Sequence, residues 1–463
     1  MLPAGFHVER TTMCDECASE SRISLSHDYS WSNNATAMAD LGAPQRTMGW
    51  SGNLEAGVHG ELQGETMPKT LKSDPSDVRA RNIRAVFRLL FPAEQMSRAE
   101  LGRRVGLSRM AISEVVGEMT ENRLLRETGV DSRSGRGKRS VMLAVDPDGW
   151  RIVSIDLTQQ FVIRGALVDL CGRIVDRVEI PCENMGDVPL EIVGELCEKL
   201  LSMTDRPLLG MGVSVPGVVG QDGTVIRSVN LGWTNVPLRQ RIETRFHVPA
   251  VVSNDTNMAL LGECYFGDCS ADSVFIKIGQ GVGAAVCVNG EIVEGCGYAA
   301  GEIGHVVVDP KGPRCVCGKR GCLEALLSVS YLRERIDAEP EDRTAILSEA
   351  GQRLGRALAM TVSLLDLSDV SVFGPPEIVG EAFIGSMREE LESCISADYR
   401  NTPSLHRCQQ GDDLVLRGQA VAVIRGLLDS VHSRGLVEDV VHFTSEGEQS
   451  HHDPDEHSGK SGD

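Results

Sequence analysis

One histidine and three cysteines fall within 18 residues, from His305 through Cys315 and Cys317 to Cys322. These are the four donors of a closed tetrahedral zinc site, and a Cys-x-Cys-x4-Cys string after a histidine is rarely assembled by chance. A loop that gathers four donors onto one ion has few paths open to it, so this segment constrains the fold more than any other. With every coordination position filled by protein, none is left for an activated water. The metal therefore reads as structural Zn2+ rather than catalytic. The rest of the 14 cysteines are scattered. The N-terminus lacks the basic-then-apolar layout of a secretory signal, so they read as reduced thiols of a cytoplasmic protein. Cys14-x-x-Cys17 reads as two free thiols in a tail.

A chain of 463 residues is long enough for roughly three domains. No run of apolar residues is long enough for a transmembrane helix, so no membrane partner is expected. Residues 1–75 show no sustained period and read as a disordered tail; residues 436–463 read as a second polar tail whose histidines are solvated. Between them, residues 76–140 hold 14 Arg and Lys against 8 Asp and Glu, a balance of +6. The whole chain carries −20, which leaves −26 on the remainder. An acidic protein of this kind does not coat nucleic acid or anionic membranes generally, but it can carry one basic module that binds DNA.

Residues 76–146 have the pattern of a winged helix-turn-helix. Ile83, Val86, Phe87, Leu89 and Leu90 form a helical stripe stopped by Pro92. Ser97-Arg98-Ala99-Glu100 is a capping box opening a short helix with Leu101 and Val105, which Gly106 ends. Ser108 caps a second helix with Ile112, Val115, Val116 and Met119 inward and Arg109, Ser113 and Glu114 outward. In such a unit the second helix enters the major groove. Leu124–Thr128 and Val141–Val145 read as strands joined by Ser134-Gly135-Arg136-Gly137-Lys138-Arg139, a flexible tip whose three cations suit phosphates or a minor groove. The candidate DNA contacts are Ser108, Arg109, Ser113, Arg136, Lys138 and Arg139.

From Arg151 onward, β-rich runs alternate with amphipathic helical patterns and glycine turns, the mark of an α/β architecture. Ile152–Thr158 and Ala166–Asp169 open a meander, Gly210–Val215 runs into the Pro216-Gly217 turn, and Val251–Asp255 ends another strand in polar residues. Ligand contacts in open α/β sheets usually lie just past strand carboxyl ends. Ile276–Gly283 supplies a second glycine-rich turn. The tract Ala350–Leu365, with Leu354, Ala357, Leu358 and Val362 on one side, reads as core.

Gly301-Glu302-Ile303-Gly304-His305, followed by the string Cys315-Val316-Cys317-Gly318-Lys319-Arg320-Gly321-Cys322-Leu323-Glu324, resembles the ROK family of repressors and sugar kinases. The resemblance covers residues 78–430 and implies an actin-like, ribonuclease H-like two-lobed sugar-binding domain over 147–435. It implies a monosaccharide or sugar-phosphate site at Asn254, Asp255, Glu302, His305 and Glu324, braced by zinc at His305, Cys315, Cys317 and Cys322. Carboxylates and amides do accept from and donate to vicinal hydroxyls. Each residue also has a plainer use: Asn254 or Asp255 as the cap of helix 256–266, Glu324 as a first-turn acid. Trp233 reads as packing rather than a sugar-stacking platform.

Kinases of that family resemble one another at a first phosphate loop of the form Asp-x-Gly-Gly-Thr, where bare backbone approaches ATP. Here the sequence is Asp156-Leu157-Thr158-Gln159-Gln160, and the second loop is Gly279-Gln280-Gly281. Asp255, the general base in kinase relatives, is present. With no positioned phosphoryl group a base has nothing to act on, so Asp255 reads as a hydroxyl acceptor and the chain as a non-enzyme. The expectation is a sugar-responsive transcriptional regulator, a homodimer or homotetramer on operator DNA, with repression relieved by sugar. An ATP-dependent sugar kinase with an appended module is the alternative. A scaffold docking a sugar-transport protein is another.

Overall fold

The computed structural model describes residues 75–130, 140–159, 161–182, 186–396 and 402–430. The readings made for the two tails lie outside these residues, including Cys14 and Cys17. So do Gln160 and the tip carrying Arg136, Lys138 and Arg139.

The stripe from Ile83 to Leu90 forms α1 (Pro75–Leu90), which stops short of Pro92. Next come β1 (Met96–Ser97), α2 (Arg98–Val105), α3 (Arg109–Glu121), β2 (Leu125–Val130) and β3 (Val141–Val145), the strands pairing in the order β1-β3-β2. Both caps form: Ser97 Oγ accepts from Glu100 N, and Ser108 Oγ from Ala111 N, each at 3.2 Å. Glu100 does not complete the reciprocal half of a capping box. Its carboxylate is drawn instead to Arg103 and Arg104, one turn along the same helix. Gly106 ends α2 at φ 75°, a left-handed conformation that a side chain would strain.

The first lobe starts with the meander β4 (Arg151–Asp156), β5 (Val162–Asp169) and β6 (Ile174–Pro181). It continues through α4 (Glu191–Leu201) and β7 (Leu208–Val215), then the small strands β8 (Val218–Val219), β9 (Val225–Ser228) and β10 (Trp233–Val236), α5 (Leu238–Phe246) and β11 (Ala250–Asn254). Its five-stranded sheet runs β11-β7-β4-β5-β6, antiparallel within the meander and parallel where β7 and β11 join. Trp233 is buried and donates its ring N–H to the Val188 carbonyl, so it packs.

Helix α6 (Asp255–Phe266) leads into the second lobe: β12 (Ser273–Ile278), β13 (Val282–Val288), β14 (Glu291–Ile292), α7 (Leu323–Leu327), α8 (Val329–Ala338), α9 (Arg343–Leu365), β15 (Asp369–Phe373), α10 (Glu381–Cys394) and β16 (Ser404–Arg407). The sheet order is β14-β13-β12-β15-β16. Helix α9 buries Leu354, Leu358 and Val362 in this lobe's core, as its spacing predicts, with Ala357 packed at the edge.

The chain closes with α11 (Leu414–Ser430), which together with α6 fills the space between the sheets. Helix α11 packs on β4, β7 and β11, α6 packs on β12 and β13, and the two helices pack on each other. Their crossing is close enough that a Cβ on Gly418 would sit 1.8 Å from the Met258 carbonyl oxygen, so only glycine fits there. Side chains of α1, among them Phe87 and Leu90, share one apolar cluster with Val421, Ile424 and Leu428 of α11. Among the described residues, no helix is long and apolar enough to cross a membrane.

Candidate functional site

The apolar strand β11 ends at Asn254, and the turn into α6 leaves two polar side chains past its carboxyl end. Asn254 is the cap: its Oδ1 accepts from Thr256 N at 2.9 Å and Asn257 N at 3.1 Å, while its Nδ2 donates to the Gly217 carbonyl at 2.9 Å. This fixes the first turn of α6 and with it Asp255, which is buried. Asp255 Oδ2 lies 2.6 Å from Lys277 Nζ, an ion pair absent from the sequence expectations. The same ammonium donates to Thr158 Oγ1 at 3.3 Å. Burial works against the charge on Lys277, but Asp255 and then Asp156 outweigh it and hold the ammonium above the ordinary lysine range.

A second buried pair lies beneath the loop at Leu157 to Gln159. Arg164 bonds Asp156 Oδ2 at 3.0 Å and the Asp412 carbonyl at 2.9 Å, while Asp156 Oδ1 accepts from Thr158 N at 2.9 Å. Gln159 reaches toward Asp156 at 3.4 Å. The loop is thus tied down by its own side chains.

Glu302 precedes a short 3-10 turn, Ile303–His305, that is anchored to β13 through the Ala284 N–H donating to the Gly301 carbonyl. Its carboxyl is pushed up first by burial, against which His305 pulls down, and then by the negative charges of Asp255 and Glu324. Glu302 therefore lies within electrostatic reach of two other expected site carboxylates. Glu324, in the first turn of α7, accepts from Val282 N at 3.2 Å and lies 3.9 Å from His305 Nδ1. It is both a helix-start acid and part of this cluster.

The cysteine loop curls back on itself through bridges between Val307 and Cys322 and between Arg314 and Arg320. Donor atoms of His305, Cys315 and Cys317 lie within 4.8 Å of one another, with Cys315 Sγ 3.6 Å from His305 Nδ1. Cys322 Sγ is 3.6 Å from Cys317 Sγ but is not part of that mutually close group of donors. The N–H of Lys319 and neighbouring groups hold the Cys317 thiol below its usual range. Burial raises Cys315 and pushes Cys322 up to about 12. This cluster could hold a metal ion.

In the N-terminal helices, Ser108, Arg109 and Ser113 lie on the exposed side of α3. The Ser113 hydroxyl donates to the Arg109 carbonyl at 2.8 Å, and Met110, 85 % exposed, stands beside them. Met110 is a further feature of this face that sequence reasoning passed over. Its signal is a large apolar residue on the outward side of an otherwise polar helix start.

Two lobes on five-stranded sheets, with paired helices between them and a carboxylate at the start of one, define an α/β fold of the sugar-kinase type. The chain belongs to the ROK family, whose model matches residues 153–425. It is 26 % identical over 385 residues to the xylose repressor of Bacillus subtilis strain 168, covering 78 % of this chain and 99 % of that one. It is also 26 % identical over 353 residues to the transcriptional dual regulator NagC of Escherichia coli K12, covering 69 % and 85 %. Among solved structures, a ROK family transcriptional regulator described as a homolog of the E. coli MLC protein superposes with a TM-score of 0.66 at 22 % identity, over 79 % of this chain and 99 % of that chain.

Proposed function

We propose that this protein is a sugar-responsive transcriptional repressor without kinase activity. The observation that carries the reading is the ion pair of Asp255 with Lys277. A general base must accept a proton from a substrate hydroxyl, and a carboxylate clamped to an ammonium is a poor acceptor. The tied-down loop at Thr158 and Gln159 agrees, because phosphoryl transfer needs backbone free to cradle phosphates. The similarity to named repressors supports the same conclusion.

On this reading, Asn254, Asp255, Glu302, His305 and Glu324 receive a monosaccharide or sugar phosphate. A soft donor set of one imidazole and three thiols suits Zn2+ at His305, Cys315, Cys317 and Cys322. That ion braces the segment between Glu302 and Glu324 and pre-positions both carboxylates. Residues 76–146 form a winged helix-turn-helix, with Ser108, Arg109 and Ser113 of α3 facing the major groove and Arg136, Lys138 and Arg139 on phosphates. The protein acts in the cytoplasm as a dimer or tetramer on paired half-sites.

Helix α6 supplies the route between the two functions. It starts at Asp255 and, at its far end, Tyr265 and Phe266 hold Phe91, just past α1, edge-on with ring centroids 5.4 and 6.1 Å apart. Sugar that favours one lobe angle tilts α6 and repositions the helices packed on its end. A differential affinity of about 1–3 kcal/mol for the two states changes operator affinity roughly 5- to 150-fold.

The test begins with selection of bound sequences from random duplex DNA. The selected site is then titrated with a panel of monosaccharides and their phosphates, led by xylose and N-acetylglucosamine, for which relatives are named. A parallel assay follows ADP release. Salt-sensitive DNA binding shifted by one sugar, with no ADP formed, is the expected result. ADP formed with any hexose establishes the kinase alternative, and no DNA selected at any salt favours a docking scaffold.

A further inference from the structure

The helix that begins at Asp255 ends on two thiols. Cys264, in the last turn of α6, and Cys269, in the loop beyond it, hold their sulfurs 3.2 Å apart. That is about 1 Å more than the bonded distance of roughly 2.05 Å, a gap that small side-chain rotations close. Both residues are half-buried rather than sealed in the core. The Cys264 thiol donates to Cys269, whose sulfur also lies 2.9 Å from Ser273 Oγ. Cys287, buried on β13, is a third thiol near Cys264.

The segment between the pair is Tyr265-Phe266-Gly267-Asp268, which carries the two rings that grip Phe91. Arg417 stacks on Phe266 with its guanidinium 3.7 Å from the ring centroid, and Gln410 donates to the Phe266 carbonyl at 2.7 Å. A covalent link from Cys264 to Cys269 closes a loop around the contact that joins the body to the N-terminal helices.

We propose that Cys264 and Cys269 are a redox modification site, converted by a peroxide to a reversible disulfide. The Cys269 thiolate attacks one peroxide oxygen and breaks the O–O bond. A sulfenic acid remains on Cys269, and the departing hydroxide takes up the proton that Cys269 lost. The Cys264 sulfur then attacks Cys269, and the sulfenic oxygen leaves as a second water carrying the Cys264 proton. Two sulfurs give up one electron each, and the peroxide receives both. The hydrogen bond from Cys264 holds the Cys269 thiol below its usual range and raises that of Cys264, so the roles of attacking and resolving thiol follow from the geometry.

Trypsin releases residues 246–277 as one peptide with these two cysteines and no other. The reduced full-length protein is treated with hydrogen peroxide, its free thiols are alkylated, and the digest is read by mass spectrometry. The expected product is the 246–277 peptide lighter by two hydrogens and carrying no alkyl group. After dithiothreitol it accepts two. Cys264→Ser and Cys269→Ser each abolish that product, and Cys287→Ser leaves it. A peptide still alkylated twice after peroxide overturns the proposal. So does a cross-link to the 278–311 peptide through Cys287, or a sulfinic acid that dithiothreitol does not reverse. The wild-type digest alone decides the matter if a serine variant does not fold.

Discussion

Lys277 Nζ, on a strand of the second lobe, sits 2.6 Å from Asp255 Oδ2, at the first turn of the helix that leaves the first lobe. The pair occupies one oxygen of the carboxylate that would otherwise be free to accept a proton. It also links the lobes electrostatically, because Lys277 reaches Thr158 as well. Removing the cation strands a carboxylate that burial penalises. Lys277→Met is expected to destabilise the protein by about 3–5 kcal/mol in urea unfolding. Adding Asp255→Asn recovers most of that loss. Two single-variant effects that simply add in the double variant exclude coupling.

Glu302→Ala is expected to leave operator affinity unchanged in a gel-shift while abolishing its response to sugar. The carboxyl belongs to the cluster with Asp255 and Glu324, and Glu302 lies in the second lobe, outside residues 76–146. A folded variant that no longer binds DNA without sugar contradicts the separation of the two functions.

Metal analysis of purified protein is expected to find about one zinc per chain. Cys317→Ser is expected to lose both metal and sugar response, because on the proposed reading the ion orders Glu302 relative to Glu324. Full induction by the metal-free variant rules out bracing.

Tyr265→Ala tests the route through α6. Truncating the ring removes the edge contact with Phe91 but touches neither the sugar site nor α3. Operator binding is expected to persist, and the sugar-dependent change to shrink several-fold within the roughly 5- to 150-fold range of such couplings. An undiminished response places the route elsewhere.

His406 offers a pH test. Asp369, 3.3 Å away, and then Glu263, 3.7 Å away, stabilise its charged form and raise its pKa to about 10. The folded value lies above the ordinary value of about 6.5, so the stabilisation is complete below that pH. It is lost as pH climbs from about 6.5 through about 10. Denaturant midpoints measured across this window should fall for wild type and fall less for His406→Gln.

Local signals in the chain were legible wherever one residue type answers one backbone need. Ser97, Ser108 and Gly106 mark helix ends by their own hydrogen bonds or φ, and each stands where its spacing puts it. The histidine and cysteines at 305–322 were legible for the same reason: sequence neighbours become spatial neighbours in a tight loop. Glu100 shows where local rules fall short, since Arg103 and Arg104 compete for its carboxylate and win. Lys277 was invisible because its partners, Asp255 and Thr158, are 22 and 119 residues away. Within Phe275-Ile276-Lys277-Ile278, a single lysine looks like the solvent side of a strand. Only the packing of two lobes brings a buried acid to meet it.

The glycine crossing of α6 and α11 has a mechanical consequence. With no side chain between Gly418 and the Met258 backbone, the two helices meet backbone to backbone at this crossing. They form a single spindle between the lobes, and α1 and its neighbouring aromatics rest on both members of it. On the coupling proposed above, a tilt of α6 at its Asp255 end carries α11 with it and reaches the N-terminal helices through both.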